Sequence, residues 1–368
     1  MDNCVIPHGY KATALGIIPQ EWEVMLLGNL SNSISSGRNK HRDAHGQYPV
    51  FGSTGIIGYS STYEYEGPVI LVARVGANAG TLNFASGQYD VSDNTLIITI
   101  KQNVYDYNFA YNQLTHYKLN KLVFGSGQPL ITSKQLKNIR IPVPPLAEQR
   151  KIAEVLGVWD KAIEKQARLI EKLALRKRAL MQRLLSAKLR LPGFSEPWKK
   201  VKLGDVAELY QPQTIQSEDL SQTGYPVYGA NGLIGYYNNN HEYPQVVITC
   251  RGSSCGTVNF TPGKCWITGN AMVLNVDNNR DVNKSFFYYL ISNSSFVNLI
   301  SGSGQPQIVR QPLLKFELRI PPLKEQTAIA EVLTAADREI DLAKEKLERL
   351  RRQKRGLMQQ LLTGKKRI

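Results

Sequence analysis

One long apolar-periodic segment, present twice, limits what this chain can fold into more than any other feature. The first copy starts at Pro144 as PPLAEQRKIAEVLGVWDKAI and closes on LMQRLLS; the second starts at Pro321 as PPLKEQTAIAEVLTAADREI and closes on LMQQLLT. The two are offset by 177 residues throughout, with no gap. In the first, Ile152, Leu156, Trp159, Ile163, Gln166, Ile170, Leu173, Lys177, Leu180 and Leu184 follow at alternating spacings of 4 and 3. The second carries Ile329, Leu333, Ala336, Ile340, Ala343, Leu347, Leu350, Lys354, Leu357 and Leu361 at the same places. That spacing predicts two helices meeting along a coiled-coil seam, each about 57 Å long at about 1.5 Å per residue. Prolines open both segments, where a missing N–H costs nothing, and Gly364 follows the second. Gln166, Lys177 and Lys354 take seam positions where an apolar residue would be more stable, as register-setting residues do. Gly157 and Gly356 each cost about 1 kcal/mol against alanine in a helix. Two explanations stand for them: close approach by another subunit, or a tolerated substitution.

The duplication extends beyond the helices. PQEWEVMLLGN at Pro19 pairs with EPWKKVKLGD at Glu196, aligning Trp22 with Trp198 and Gly28 with Gly204. YPVFGSTGIIGY at Tyr48 pairs with YPVYGANGLIGY at Tyr225. VILVARVGANAGTLNF at Val69 pairs with VVITCRGSSCGTVNF at Val246, one residue shorter in its loop. Asn94 matches Asn270, and FGSGQPLI at Phe124 matches ISGSGQPQI at Ile300. Short β-branched runs predict strands at Val69–Ala73, Leu82–Phe84, Leu96–Ile100, Val246–Thr249, Val258–Phe260 and Ala271–Val276. Short helices are expected at Phe109–Leu114 and Phe286–Ile291. The fold class is therefore α+β: two homologous strand-rich α/β globular domains (1–143 and 191–320) and two long helices (144–190 and 321–368). The clearest linker is Leu189–Pro197. Because the connections are short, the second globular domain must touch the end of the first helix and the start of the second. That requires an antiparallel coiled coil and a pseudo-twofold dumbbell with a globular head at each end.

Net charge is +15, and its distribution is informative. Residues 147–190 carry 12 basic and 5 acidic side chains and residues 323–368 carry 12 and 7, whereas 1–146 has 11 and 9 and 191–322 has 10 and 9. The excess lies on the helices, which makes them a solvated face or a surface for a polyanion or acidic partner. Four cysteines in 368 residues argue against a disulfide framework. With no signal peptide and no apolar run able to span a bilayer, a cytoplasmic location is expected.

The chain offers no catalytic motif: no GxxxxGK[ST], no GxGxxG between strand and helix, no HExxH and no [DN]PP[FY]. It reads as a non-enzyme. His41, Asp43 and His45 could ligate a metal, but a polar loop explains them as well. Cys250, Cys255 and Cys265 near His241 read as buried small residues, since their counterparts in the first half are not ligands. GSG at Gly125 and Gly302 marks tight turns.

What remains are polar loops at matching places in both halves. Ser53 and Thr54 correspond to Ala230 and Asn231 in the GIIGY-type turn. Arg74 and Asn78 correspond to Arg251, Ser253 and Ser254 on a glycine-rich hairpin. Asn94 matches Asn270, and Ser126 and Gln128 match Ser303 and Gln305. Arg, Asn and Gln can contact base edges bidentately, and glycine loops let amides reach phosphates; ordinary turn chemistry is the alternative for any one of them. The frame is kept while the loop tips change, as expected if two related heads read different things.

On IPVPPLAEQRKIAEVL and IPPLKEQTAIAEVL, with YGANGLIGY and GSGQP in the heads, nearly the whole chain resembles the specificity subunits of type I restriction–modification enzymes. The resemblance implies that each head is a target recognition domain reading one half of a bipartite, asymmetric double-stranded DNA site. It implies that the helices space the half-sites and dock two methyltransferase subunits, with restriction subunits joining afterwards. Methylation would fall on adenine N6, with S-adenosylmethionine, ATP and Mg2+ on the partners and no cofactor on this chain. The alternatives are the equivalent subunit of a fused methyltransferase–nuclease system, and a coiled-coil adaptor whose heads bind protein or carbohydrate. In that family the two heads are often dissimilar; here they are related, which implies similar docking on both half-sites.

Overall fold

The computed structural model describes residues 6–125, 129–229, 232–240, 243–261, 263–302 and 304–368. The chain forms two compact units, Met1–Ala167 with Lys346–Ile368, and Arg168–Glu345. This grouping by contact crosses the linear boundaries at 143, 190 and 320.

In the first unit one sheet buries its two faces in separate apolar clusters and shares the smaller, where Val69, Leu71 and Ile97 meet Tyr89 and Val91, with a second sheet. The first sheet is antiparallel, in the order Ser31–Ser36, Thr95–Ile100, Val69–Ala73, Leu82–Ala85. Its central strand, Val69–Ala73, is buried on both faces, which is why it reads as an unbroken apolar run. The other sheet runs Gly55–Ser60, Tyr48–Gly52, Gln88–Val91, Tyr65–Glu66, and Gln88–Val91 pairs in parallel with Tyr48–Gly52. The helix Tyr107–Tyr117 is capped by Asp106, whose side chain accepts from the Phe109 N–H. Phe109 and Leu114 go into a core shared with Trp22, Ile70 and Ile98.

The second unit repeats this plan, with shorter strands in the antiparallel sheet. Its antiparallel sheet is Glu208–Tyr210, Ala271–Asn275, Val246–Thr249, Val258–Phe260. Its other sheet is Gly232–Tyr237, Tyr225–Gly229, Trp266–Ile267, where Tyr225–Gly229 pairs in parallel with Trp266–Ile267 as Tyr48–Gly52 does with Gln88–Val91. The helix Lys284–Ser292 is capped by Asn283. The predicted strands and short helices are thus present, the helices extended by a few residues.

The long helices span Leu146–Leu184 and Leu323–Leu361, 39 residues each and 177 apart at both ends. All ten seam positions on each are buried or half-buried. Within the first unit the helices run antiparallel: Ile152 and Leu156 share a core with Met358 and Leu361, and Lys354 reaches Asp160. In the second unit Leu184 shares a core with Ile329 and Leu333, Leu173 packs with Ile340 and Ala343, and Lys177 reaches Asp337.

The Glu-Gln of each PPLxEQ entry ties helix to globular domain. Gln149 accepts from the Asp106 N–H (2.8 Å) and donates to the Val104 and Pro144 carbonyls. Gln326 does the same with Asn283, Asp281 and Pro321. Glu148 and Glu325, 7% and 1% exposed, each accept two bonds from an arginine that follows the other helix: Arg367 for Glu148, Arg190 for Glu325. Such two-pronged pairs hold nearly buried carboxylates that would otherwise be costly. Every partner in these sets lies 177 residues from its counterpart.

Candidate nucleic-acid interface

Loops that are far apart in the first half of the sequence converge at one end of its sheets. The Asn94 carbonyl accepts from the Arg74 N–H at 2.9 Å and from Ser53 Oγ at 3.3 Å, joining three of them. The fourth, the segment leading out of GSGQP, joins through Ile131 N–H to the Arg74 carbonyl (2.9 Å) and Gly76 N–H to the Pro129 carbonyl (3.0 Å). Thr54, Asn78 and Asn94 are exposed on this surface, Ser53 and Arg74 half-buried. Gly125 takes a φ of 99°, the left-handed region where glycine carries no penalty.

The second unit builds the same frame. The Asn270 carbonyl accepts from the Cys250 N–H (2.9 Å), Ile308 N–H bonds the Cys250 carbonyl (2.9 Å), and Gly252 N–H bonds the Pro306 carbonyl (3.0 Å). Arg251, Ser253, Asn270 and Gln305 are exposed; Ser254 is half-buried. Ser126, Gln128, Asn231 and Ser303 lie outside the described residues, as do Ala230 and His241.

These bonds correct one alignment. Arg74 occupies the place of Cys250, and Val75 that of Arg251: Val75 bridges Leu130, and Arg251 bridges Gln307. The Gly80 N–H closes on the Ala73 carbonyl as Gly256 closes on Thr249, so the two hairpin loops are equal in length. The missing residue lies ahead of the strand instead, where Ile70 pairs with Phe84 as Val246 pairs with Phe260. Matching arginine to arginine hid this. One step along an extended backbone turns a side chain to the other face. Accordingly Arg74 is half-buried, its Nε buried without a partner among the described residues, while Arg251 is exposed. Cys250, in the place of Arg74, is buried, which pushes its thiol up to about 12.

Both units also carry a groove between the short helix and the long helix. In the first it holds about 760 Å³ and is lined by Phe84, Asn108, Tyr111, Glu154, Gly157 and Lys161. In the second it holds about 370 Å³, with Ser285, Glu331, Thr334 and Arg338 at the positions of Asn108, Glu154, Gly157 and Lys161. Among the described residues no cluster of His, Cys, Asp and Glu suits a metal ion, and no helix is long and apolar enough to cross a membrane.

The profile of the type I restriction modification DNA specificity domain matches residues 19–174 and again 195–352. The chain belongs to the type I restriction–modification specificity family. Among its relatives, the type I restriction enzyme MjaVIII specificity subunit of Methanocaldococcus jannaschii is 24% identical, covering 95% of this chain and 94% of its own. A putative specificity subunit of Haemophilus influenzae is 23% identical over 85% and 86% of the two chains. The crystal structure of the Mycoplasma genitalium type I specificity subunit shares the fold, with a TM-score of 0.65 at 19% identity over 93% of this chain and 96% of that one.

Two positions in this specificity subunit escaped the reading of its sequence. Ser92 and Thr268 stand at matching places beside Asn94 and Asn270, 5% and 2% exposed, and neither hydroxyl has a partner among the described residues. A small hydroxyl residue two ahead of each asparagine was the available signal.

Proposed function

We propose that this specificity subunit is the DNA-reading component of a type I complex, each unit reading one half of a bipartite, asymmetric site. The observation that carries this is the pair of matching loop frames, held by the same backbone hydrogen bonds while Val75 and Asn78 give way to Arg251 and Ser254 at the tips. A kept frame with changed tips suits two surfaces that dock alike on duplex DNA and read different bases. In this reading the helix pair sets the distance between half-sites. Two methyltransferase subunits dock along it, which the repeat-related grooves at Gly157 and Thr334 support by offering one comparable surface per unit. Adenine N6 methylation belongs to those partners, with S-adenosylmethionine bound there, and cleavage with ATP and Mg2+ to restriction subunits. This chain supplies no chemistry itself.

The balanced charge of the globular parts makes weak DNA binding by the isolated chain the expectation, with affinity gained on assembly. The test is a gel shift with the co-expressed methyltransferase. A sequence-selective, salt-sensitive shift supports the proposal; a complex that binds all duplexes equally, or none, contradicts it.

A further inference from the structure

The loop that precedes the hairpin Tyr48–Ser60 is the most basic stretch in the first globular part: Arg38, Lys40 and Arg42 in RNKHRDAH. It is tied down at both ends. Arg38 and Asn39 N–H groups bond the Val91 carbonyl (3.0 and 2.9 Å), and the Asn39 side chain bonds Asp90. Further on, the Asp43 N–H bonds the Tyr59 carbonyl (2.8 Å) and the Gln47 N–H the Ser60 carbonyl (2.9 Å). Between these ties Lys40, His41 and Arg42 are exposed, and the Arg42 stem lies against Gly58 of the hairpin. Arg38 is partly engaged by Glu64 at 3.7 Å. Val91, which anchors the loop, stands one residue ahead of Ser92 and three ahead of Asn94 of the interface.

The second unit anchors the downstream end of its corresponding loop in the same way and carries the opposite charge ahead of that anchor, where Ser217–Asp219 form a 3-10 turn. The Ser221 N–H bonds the Tyr236 carbonyl at 2.8 Å, the counterpart of Asp43 on Tyr59, and Leu220 lies against Gly235 where Arg42 lies against Gly58. Counting back from these anchors, Glu218 stands for Lys40, and Asp219 for His41. Both acids are exposed. A preorganised cation beside base-reading loops suits phosphate oxygens, whereas a carboxylate in that place repels them.

We infer that Lys40 and Arg42 hold DNA backbone phosphates, and that the second unit lacks this grip, so the two half-sites are held with unequal electrostatic force. The inference rests on the DNA-reading proposal above. It also absorbs His41, Asp43 and His45, which belong to the same anchored loop.

The test is the salt dependence of binding by the full chain, co-expressed and purified with its methyltransferase, to a fluorescein-labelled, mixed-sequence 40-base-pair duplex between 50 and 200 mM NaCl. Each phosphate contact contributes about 0.9 to the slope of log affinity against log salt, so K40A/R42L should flatten it by about 1.8. The wild-type advantage should then shrink roughly twelvefold across that range. R42L copies the second unit's Leu220, keeping the contact with the hairpin glycine, and K40A alone should flatten the slope by about 0.9. The reciprocal E218K/L220R should steepen it. A slope unchanged in K40A/R42L overturns the inference, as does equal flattening by K101E/K134E, which alters exposed lysines away from this loop. No duplex binding by the wild type at 50 mM would remove the DNA-reading proposal as well; an unchanged slope leaves that proposal standing.

Discussion

Lys354 reaches Asp160 across the helix pair of the first unit at 2.5 Å, and Lys177 makes the same contact with Asp337 in the second. Each partner lies 177 residues from its counterpart, so one ion pair is written twice with donor and acceptor helices exchanged. The two lysines are the polar seam residues that the heptad pattern singles out, and their side chains are 14% and 20% exposed. Asp160→Ala strands a mostly buried ammonium and should cost about 1–3 kcal/mol. Lys354→Leu removes the charge along with its partner's role and should fall within about 1 kcal/mol of wild type. Denaturant unfolding of both variants and the double mutant checks this; equal losses in the two single variants would contradict it.

The arginine–glutamate pairs should differ in strength. Glu148 has two donors, Arg367 and the Trp22 indole N–H at 3.1 Å, whereas the Trp198 indole N–H in the second unit has no hydrogen-bond partner among the described residues. Glu325 is the more buried carboxylate and Arg190, 26% exposed, the more buried arginine. Arg190→Ala should therefore destabilise by about 2–4 kcal/mol and Arg367→Ala by about 1–2 kcal/mol, the latter reduced by solvent around an arginine 40% exposed. Thermal unfolding of the two variants gives the order, and the reverse order would contradict it.

The ends of the helices separate a conformational requirement from a packing one. Gly364 and Ala187, 177 apart, take φ values of 71° and 58°. Ala187 pays the left-handed penalty of about 1–2 kcal/mol, partly offset by its smaller unfolded-state entropy, so Ala187→Gly should be neutral or stabilise by up to about 1 kcal/mol. Gly364 also lies against Pro19 and Trp22, where an added Cβ would overlap the proline ring. Gly364→Ala should cost about 2–4 kcal/mol from strain and overlap together. Melting temperatures of the two variants distinguish the sites.

Among the described residues, a Cβ on Gly157 or Gly356 meets nothing within 4 Å. Alanine at each should stabilise the chain by about 0.5–1 kcal/mol. If Gly157 admits a methyltransferase subunit closely, as proposed for its groove, Gly157→Ala should at the same time weaken co-purification of that subunit. Stabilisation with unchanged co-purification would leave this glycine without a partner-related role.

The helices were legible in the sequence because a seam of period 3.5 and an ungapped offset state the same thing twice. The central strands were legible because burial on both faces demands unbroken apolar runs such as VILV and VVI. The hairpin register was not, because identity of arginines outweighed a gap that only ladder pairing locates. Nor was the role of Glu148, Gln149, Glu325 and Gln326: their repetition was plain, but Arg190 and Arg367 become their partners only once the helices run antiparallel. The candidate interface was legible as a set of loops, with Ser53, Arg74 and Asn94 now joined at one carbonyl. Which tips face outward depended on a one-residue register that loop composition does not carry.

The proposed spacing role of the helices is tested most directly by inserting one heptad into each and mapping methylated adenines genome-wide in a host expressing the chain with its partners. Seven residues add about 10 Å at about 1.5 Å per residue, or about 3 base pairs at roughly 34–36 Å per 10–10.5 pairs. The account predicts the same two half-sites with the gap between them longer by about 3 base pairs. An unchanged gap, or methylation at a single uninterrupted site, would contradict it.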